Sequence, residues 1–263
     1  MNQQDASECV FDIVYLTTLY CLTLKIFQRR AVRRENYLLT WMCSSLVVGD
    51  SIQLIPRLAV IIFNLQSYSR MVNGVGFLSG AIAITLFQRI LLEVIECRYQ
   101  QDSGMWHSVM KYLFVTRLVL LLLPANHWFD GVGNPLLCKV RNVPAFLMGG
   151  ITSLLLFTHS RGKGDAFRWM WLYNALSFVA LIPTSFFHVG GLVVVVFIML
   201  HTVCYVLMIV CSYRAAKEEV EKKEECSCLF QILHFHKTPP FQSSSNSTEN
   251  STGSEFTFLL FQT

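Results

Sequence analysis

Asp50, Gln53 and Arg57 place an acid, an amide and a base inside a long apolar stretch of the chain. Their spacing is i, i+3, i+7, so on a helix the three side chains share one face. A charged side chain at the centre of a bilayer costs about 3 kcal/mol on insertion scales, and it is usually paired or functional. We therefore take this face as the first candidate site.

Further charged side chains lie inside the neighbouring apolar stretches. Arg89 and Glu93 are spaced i, i+4 on the next stretch, Arg117 lies near the middle of the following one, and His201 is in the last. A side chain that is charged or polar at such a depth is a candidate for contact with a ligand. The candidate ligand-binding residues are Asp50, Gln53, Arg57, Arg89, Glu93, Arg117 and His201.

Two arrangements of the charged residues remain open. In the first, all of them form buried ion pairs: Asp50 pairs with Arg89 or Arg57. Glu93 then pairs with Arg89 or Arg117. In the second, the surplus of arginine over carboxylate leaves one guanidinium free, and a guanidinium binds a carboxylate or phosphate through two parallel hydrogen bonds.

These arrangements favour different functions. A free arginine predicts a receptor-like or carrier-like protein that binds a small amphiphilic or anionic ligand. An alternative is a lipid-modifying enzyme within the membrane that uses Asp50 and His201 as acid and base. A third is a scaffold whose buried charges only pair. The sequence favours binding over catalysis, and we assign no catalytic residue.

No pattern of metal ligands or of a catalytic nucleophile is evident. The sequence has no His-Glu-x-x-His, no His-x-x-x-His, and no closely spaced cysteine pair within an apolar stretch. It also lacks the Gly-x-Ser-x-Gly turn of the α/β-hydrolases. The last apolar stretch has no lysine that would carry a retinal Schiff base. We therefore predict neither a metal nor a cofactor.

The elements that position these residues are long and apolar. The composition is 53% hydrophobic and 14% charged, which is unlike an ordinary soluble domain. Most of the apolar segments approach or exceed the roughly 20 residues that cross a bilayer as a helix. We predict an all-α, polytopic seven-helix bundle in the plasma membrane or an endomembrane, with the lipid bilayer as its partner. The segments are residues 10–27, 37–66, 71–96, 108–124, 143–158, 167–187 and 189–212.

Lysine and arginine are distributed unevenly between the two sides of this bundle. They concentrate after the first, third and fifth segments and in the tail, whereas the other side carries Arg70, Lys139 and Arg141. Cytoplasmic loops of membrane proteins carry the excess of basic residues. The N-terminus is therefore predicted outside and the C-terminus in the cytosol. The net charge of +4 indicates topology in this chain and does not indicate nucleic-acid binding.

The chain divides into residues 1–9, an outer arm; 10–213, the transmembrane domain; 214–237, a charged helix and cysteine-containing amphipathic segment; and 238–263, a disordered tail rich in Ser, Thr and Asn. Cys226 and Cys228 follow the last span and are candidate palmitoylation sites. The tail offers a surface for a cytosolic partner. Cys9 and Cys138 are predicted on the oxidising outer side and are candidates for one disulfide.

Two resemblances accompany this prediction. The architecture is similar to that of rhodopsin-type receptors, although Glu96-Cys97-Arg98-Tyr99 matches their acidic-Arg-Tyr motif only loosely and the last span lacks Asn-Pro-x-x-Tyr. The motifs Gly49-Asp50-x-x-Gln53-Leu54-x-Pro56-Arg57, Leu123-Pro124-x-Asn126-x-Trp128 and Arg141-Asn142-x-Pro144 resemble those of a mostly bacterial group of seven-span membrane proteins. That group has no assigned activity, and it has His where this chain has Gln53. The resemblance gives weight to the motif residues without implying a reaction.

Overall fold

A computed structural model describes residues 3–30, 33–101, 103–129, 135–186 and 192–235, and these ranges are all-helical, without a strand. The chain separates into two compact units, Met1–Lys223 and Glu224–Thr263. All contacts reported below belong to the first unit.

Eight helices follow one another along the described ranges. Each predicted apolar segment coincides with one long helix, and a short helix, α5, lies in the connection between the fourth and fifth segments. The helices are α1 Gln3–Phe27, α2 Arg34–Ile62, α3 Ser69–Tyr99, α4 Met105–Leu122, α5 Pro135–Val140, α6 Val143–Ser160, α7 Met170–Phe186 and α8 Leu192–Phe235. The last predicted segment ends at residue 212, but α8 continues without a break into the charged region, whose Lys and Glu are good helix formers.

Six helical stretches are long and apolar enough to cross a membrane. Five lie in α1, α2, α3, α4 and α8, and the sixth, Leu136–Ser160, joins most of α5 to α6. α7 has 17 residues and is about 26 Å long at 1.5 Å per residue, slightly less than the hydrocarbon thickness. Many large apolar side chains on the helices face outward, including Val48, Phe77 and Val195. An outer surface of this kind belongs in lipid, so the protein is an integral membrane protein.

The closest helix pair is α2 with α3, and small residues allow it. A methyl group added at Gly49 would lie 2.2 Å from the Cβ of Ala83, so the two backbones approach too closely for a larger residue. Gly76 and Gly80 leave room for the side chain of Gln53 in the same way. Close approach through small residues is a common way for helices to associate in lipid, where water does not drive burial.

α3 is the central helix of the bundle and contacts α2, α4 and α6. Its fully buried Phe87, Leu91 and Ile95 form the middle of a core to which α2 contributes Met42 and α8 contributes Met208. Because α2, α4 and α8 surround this core, polar side chains on their inward faces are brought close together.

Residues of the second and third predicted motifs contact one another in the connection between α4 and α6. The amide of Asn126 donates to the carbonyls of Leu120, Leu121 and Leu123, and so satisfies orphan acceptors at the end of α4. Arg141 donates to Asn126 Oδ1 at 2.8 Å, and its guanidinium stacks 4.1 Å from the ring centre of Trp128. The second and third motifs therefore form one structural corner.

Candidate functional site

Five buried or partly buried polar side chains form a group that we call the polar core: Asp12 and Tyr15 from α1, Asp50 from α2, Arg117 from α4 and Tyr205 from α8. The Tyr15 hydroxyl donates to Asp50 Oδ2 at 2.5 Å. Tyr15 also interacts electrostatically with Asp12 and Tyr205. Tyr205 is in turn near enough to Asp50 and Arg117 to interact with both electrostatically, so the five side chains lie in one region of the bundle.

Three atoms of the polar core are buried without a hydrogen-bond partner. They are Asp12 Oδ2, Arg117 Nε and the Tyr205 hydroxyl. Most buried polar atoms in folded proteins do have a partner, so each exception requires an explanation, such as a bound water, ion or ligand. Three exceptions in one connected group mark the polar core as the strongest candidate for a binding site.

Arg117 is the member of the polar core whose charge and hydrogen-bond donors are least satisfied. The residue is 4% exposed, and among the described residues it makes one hydrogen bond, a long contact of 3.4 Å from Nη1 to the carbonyl of Arg141. Within the described ranges no carboxylate lies within ion-pair distance of it. A guanidinium has five N–H donors, and the Nε–H of this buried cation has no acceptor.

The other predicted arginines are paired. Arg57 forms an ion pair with Glu8 of α1. Arg89 forms one with Glu93 at 3.1 Å, one of the two predicted partners of that acid. The predicted pairing of Asp50 with Arg89 or Arg57 is wrong, because Asp50 accepts its hydrogen bond from Tyr15. The sequence could not give the rotation of the helices, which decides the partner.

Arg89 and Glu93 belong to a separate polar chain. Arg89 Nη2 lies 3.0 Å from His107 Nε2, and because a guanidinium can only donate, Nε2 must accept. The proton of that ring is then on Nδ1, which faces Glu96 at 3.5 Å. Arg89 and Glu93 are paired within this chain, so they lie outside the polar core.

His201 lies beside the polar core and has a packing role. Its Nδ1 is 3.0 Å from the carbonyl of Ser177, and its ring packs edge-on against Tyr205 with 4.4 Å between the ring centres. In the described structure no hydrogen bond joins His201 to Asp50. The geometry therefore gives no support to an acid–base pair made of these two residues.

A network of neutral polar side chains links α3, α6 and α7. Gln88 donates to Asn174 Oδ1 at 2.8 Å and accepts from the Thr152 hydroxyl at 2.6 Å. Asn174 donates in turn to Thr152 and Ser153. None of these residues was among the predicted site residues. The signal in the sequence that could have identified them is the presence of amide side chains inside apolar segments.

The second set of residues that the sequence analysis missed is the Arg98 cluster, which consists of Arg98, Glu35, Asp165 and Glu218. Arg98 contacts Glu35 at 2.5 Å, Asp165 at 3.2 Å and Glu218 at 3.2 Å. Its guanidinium also lies over the ring of Phe167. One cation thus connects the start of α2, the end of α3, the loop before α7 and the charged part of α8.

The cysteine predictions have different outcomes. Cys9 and Cys138 are free thiols in the structure, so the predicted disulfide is not formed. Cys9 is buried, on α1, whereas Cys138 lies on α5 and interacts electrostatically with Arg141. The side chains of Cys226 and Cys228, the predicted palmitoylation sites, lie outside the described residues.

The sequence matches no protein-family model and no curated protein, and the structure matches no solved structure. Within the described ranges, no three His, Cys, Asp or Glu side chains form a group that could hold a metal ion. The resemblance to the seven-span group therefore stays a prediction, and function has to be inferred from the polar core.

Proposed function

We propose that this membrane protein binds a small amphiphile with an anionic head group at Arg117, and that it acts as a receptor or a carrier for that molecule. One observation carries the proposal: Arg117 is a buried guanidinium without a carboxylate partner among the described residues. A buried charge that remains unpaired is strongly unfavourable, whereas an anionic ligand would turn it into a source of binding energy.

The neighbouring groups suit such a head group. The planar guanidinium can bind a carboxylate or phosphate through two hydrogen bonds, and the unsatisfied Tyr205 hydroxyl could donate a third. Asp50 already accepts from Tyr15, while the unsatisfied Asp12 Oδ2 offers an acceptor to a hydroxyl on the ligand. The low dielectric between the helices strengthens these interactions. An apolar tail is required because the surrounding helices are apolar.

The depth of the site follows from the proposed topology, in which α7 also crosses the membrane, which makes seven spans, and the N-terminus is outside. α4 then runs outward from Met105 to Leu122. Arg117 precedes the outer end of this helix by five residues, which is about 8 Å along its axis. The head group would therefore lie in the outer half of the bilayer, and the Arg98 cluster would face the cytosol.

The proposal can be tested with amphiphiles that differ in head group alone. The purified full chain in detergent would be heated with octanoate, octyl phosphate, octanol or octylamine. A ligand that binds the folded state raises the thermal midpoint by mass action. We expect a rise with octanoate and octyl phosphate and none with octanol or octylamine.

The matched variants are Arg117→Gln and Arg70→Gln, the latter at an exposed arginine on α3. The rise should disappear in Arg117→Gln and persist in Arg70→Gln. An equal rise with octanol, or a rise that survives in Arg117→Gln, would sink the proposal. In that case, with no ligand at Arg117, the scaffold interpretation would be preferred, and the ion pairs of Arg57 and Arg89 support it.

A further inference from the structure

A cavity lies at the loop between α6 and α7, and none of its lining residues belongs to the polar core. Its volume is about 440 Å³, within the range of small-molecule sites. Three of its lining side chains are the cations Arg161, Lys163 and Arg168. The remaining lining residues are Phe157, Ser160, Gly162, Gly164, Trp169 and Trp171. We call this set the loop cavity.

None of the described residues that line the loop cavity is acidic. Asp165 is the nearest acid along the chain. Its carboxylate accepts hydrogen bonds from Arg98 and from Tyr99, which do not line the loop cavity. Among the ion pairs of the described residues, none includes Arg161, Lys163 or Arg168. The loop cavity therefore combines three positive charges without an internal counter-charge.

Aromatic rings hold the cations in place. Arg161 lies over Phe157 at 5.6 Å from the ring centre, Arg168 over Trp169 at 5.3 Å and Lys163 over Tyr99 at 4.5 Å. Such contacts fix the position of a long side chain while its charge stays available. Basic residues are common in cytoplasmic loops, and here three exposed ones line the same cavity.

We propose that the loop cavity binds a phosphate group, and that its source is the head group of an anionic phospholipid. Arginine and lysine are the residues that proteins use to hold phosphate oxygens. The exposed Trp169 and the partly exposed Trp171 suit the water–lipid interface, where indole rings concentrate. A lipid in this position would keep its tails beside the helices while its phosphate enters the cavity.

The proposal is tested with the purified full chain in detergent and water-soluble lipids. The probes are dioctanoyl phosphatidate, dioctanoyl phosphatidylcholine and inorganic phosphate, and native mass spectrometry measures the apparent Kd of each. Phosphatidate should bind most tightly, since the choline cation of phosphatidylcholine is repelled by the three cations. If inorganic phosphate displaces phosphatidate at an equal concentration, the site still binds phosphate but its source is a soluble anion.

Two triple variants separate the cavity from general surface charge. Arg161→Gln, Lys163→Gln and Arg168→Gln together should weaken phosphatidate binding at least tenfold. The control combines Lys111→Gln, Arg214→Gln and Lys217→Gln, which removes the same charge outside the cavity and should leave the Kd within twofold. Equal affinities in the two triple variants would overturn the proposal.

A third variant keeps every charge. It tests binding in the loop cavity even if the variant that lacks Arg161, Lys163 and Arg168 fails to fold. A side chain added at Gly164 meets no atom within 4 Å of its Cβ, so Gly164→Phe is accommodated and fills the cavity. Gly150→Phe is the matched control, because its Cβ is equally unobstructed and Gly150 is not part of the cavity. Phosphatidate should bind Gly150→Phe normally and Gly164→Phe at least tenfold more weakly. Normal binding to both would refute the site.

Discussion

Arg98 and Arg117 are both buried arginines in one bundle, and their surroundings are opposite. The side chain of Arg98 is 6% exposed and contacts three carboxylates from three different parts of the fold. Arg117 is 4% exposed, and in the part of the chain that the structure describes its one hydrogen bond is a long contact to a backbone carbonyl. The comparison shows that burial of a charge does not by itself identify a site. What separates the two arginines is the presence or absence of a carboxylate partner among the described residues.

This difference predicts opposite effects on stability. Removing one partner of a buried ion pair leaves an uncompensated charge and is strongly destabilising. Replacing a buried charge that has no partner by an apolar side chain of similar size removes a penalty instead. We therefore expect Arg98 to stabilise the fold and Arg117 to destabilise it, a cost that the proposed binding function would explain.

The largest expected effect is that of Arg98→Gln. The variant leaves Glu35, Asp165 and Glu218 without their shared cation. We expect the free energy of unfolding to fall by about 3–5 kcal/mol. The thermal midpoint in detergent should fall sharply compared with that of Arg214→Gln, an exposed arginine of α8. Equal midpoints for the two variants would show that the Arg98 cluster does not stabilise the fold.

A smaller loss is expected from Glu35→Gln. Glu35 is buried and makes the shortest contact in the cluster, but Arg98 keeps Asp165 and Glu218 when it is removed. We expect the free energy of unfolding to fall by about 1–3 kcal/mol, the usual effect of losing one hydrogen bond to a charged group. In a double-mutant cycle with Arg98→Gln the two losses should be less than additive. Simple additivity would contradict a direct interaction.

Arg117→Met should act in the opposite direction. Met has an unbranched side chain that can occupy the apolar part of the space, and the unsatisfied guanidinium is gone. We expect the thermal midpoint without ligand to stay level or to rise, by up to about 1–2 kcal/mol in stability. A fall as large as that of Arg98→Gln would mean that Arg117 has a stabilising partner after all.

The smallest effect is expected from Tyr205→Phe. The hydroxyl that this change removes has no hydrogen-bond partner, while the ring, which packs against Phe87 and His201, is kept. Stability should change by less than about 0.5 kcal/mol. Octanoate binding, in contrast, should weaken several-fold, because one donor to the head group is lost. A large loss of stability with unchanged binding would assign the hydroxyl a structural role.

The sequence predicted the positions of the long helices well because hydropathy alone determines which segments enter a membrane. It failed on the partners of Asp50 and Arg57, because a partner depends on the rotation and depth of two helices and on α1, whose Glu8 and Tyr15 were not selected. Arg117, in contrast, was a predicted candidate from its depth alone.

The Arg98 cluster was missed for a different reason. Glu35 and Asp165 lie close to the starts of helices and Glu218 lies in the charged part of α8, where acidic residues are usually solvated. The three are also far apart in the sequence. The network of Gln88, Thr152 and Asn174 was missed because neutral polar side chains barely change the hydropathy of a segment. In both cases the information lies in the packing of helices against α3.

The most direct test of the account is an experimental density map of the protein with octyl phosphate bound. The account predicts phosphate density within about 2.7–3.1 Å of the Arg117 guanidinium and of the Tyr205 hydroxyl, with the alkyl chain between the helices. Density for the phosphate only in the loop cavity, with Arg117 still unliganded, would contradict the claim that the unpaired arginine is the ligand-binding group.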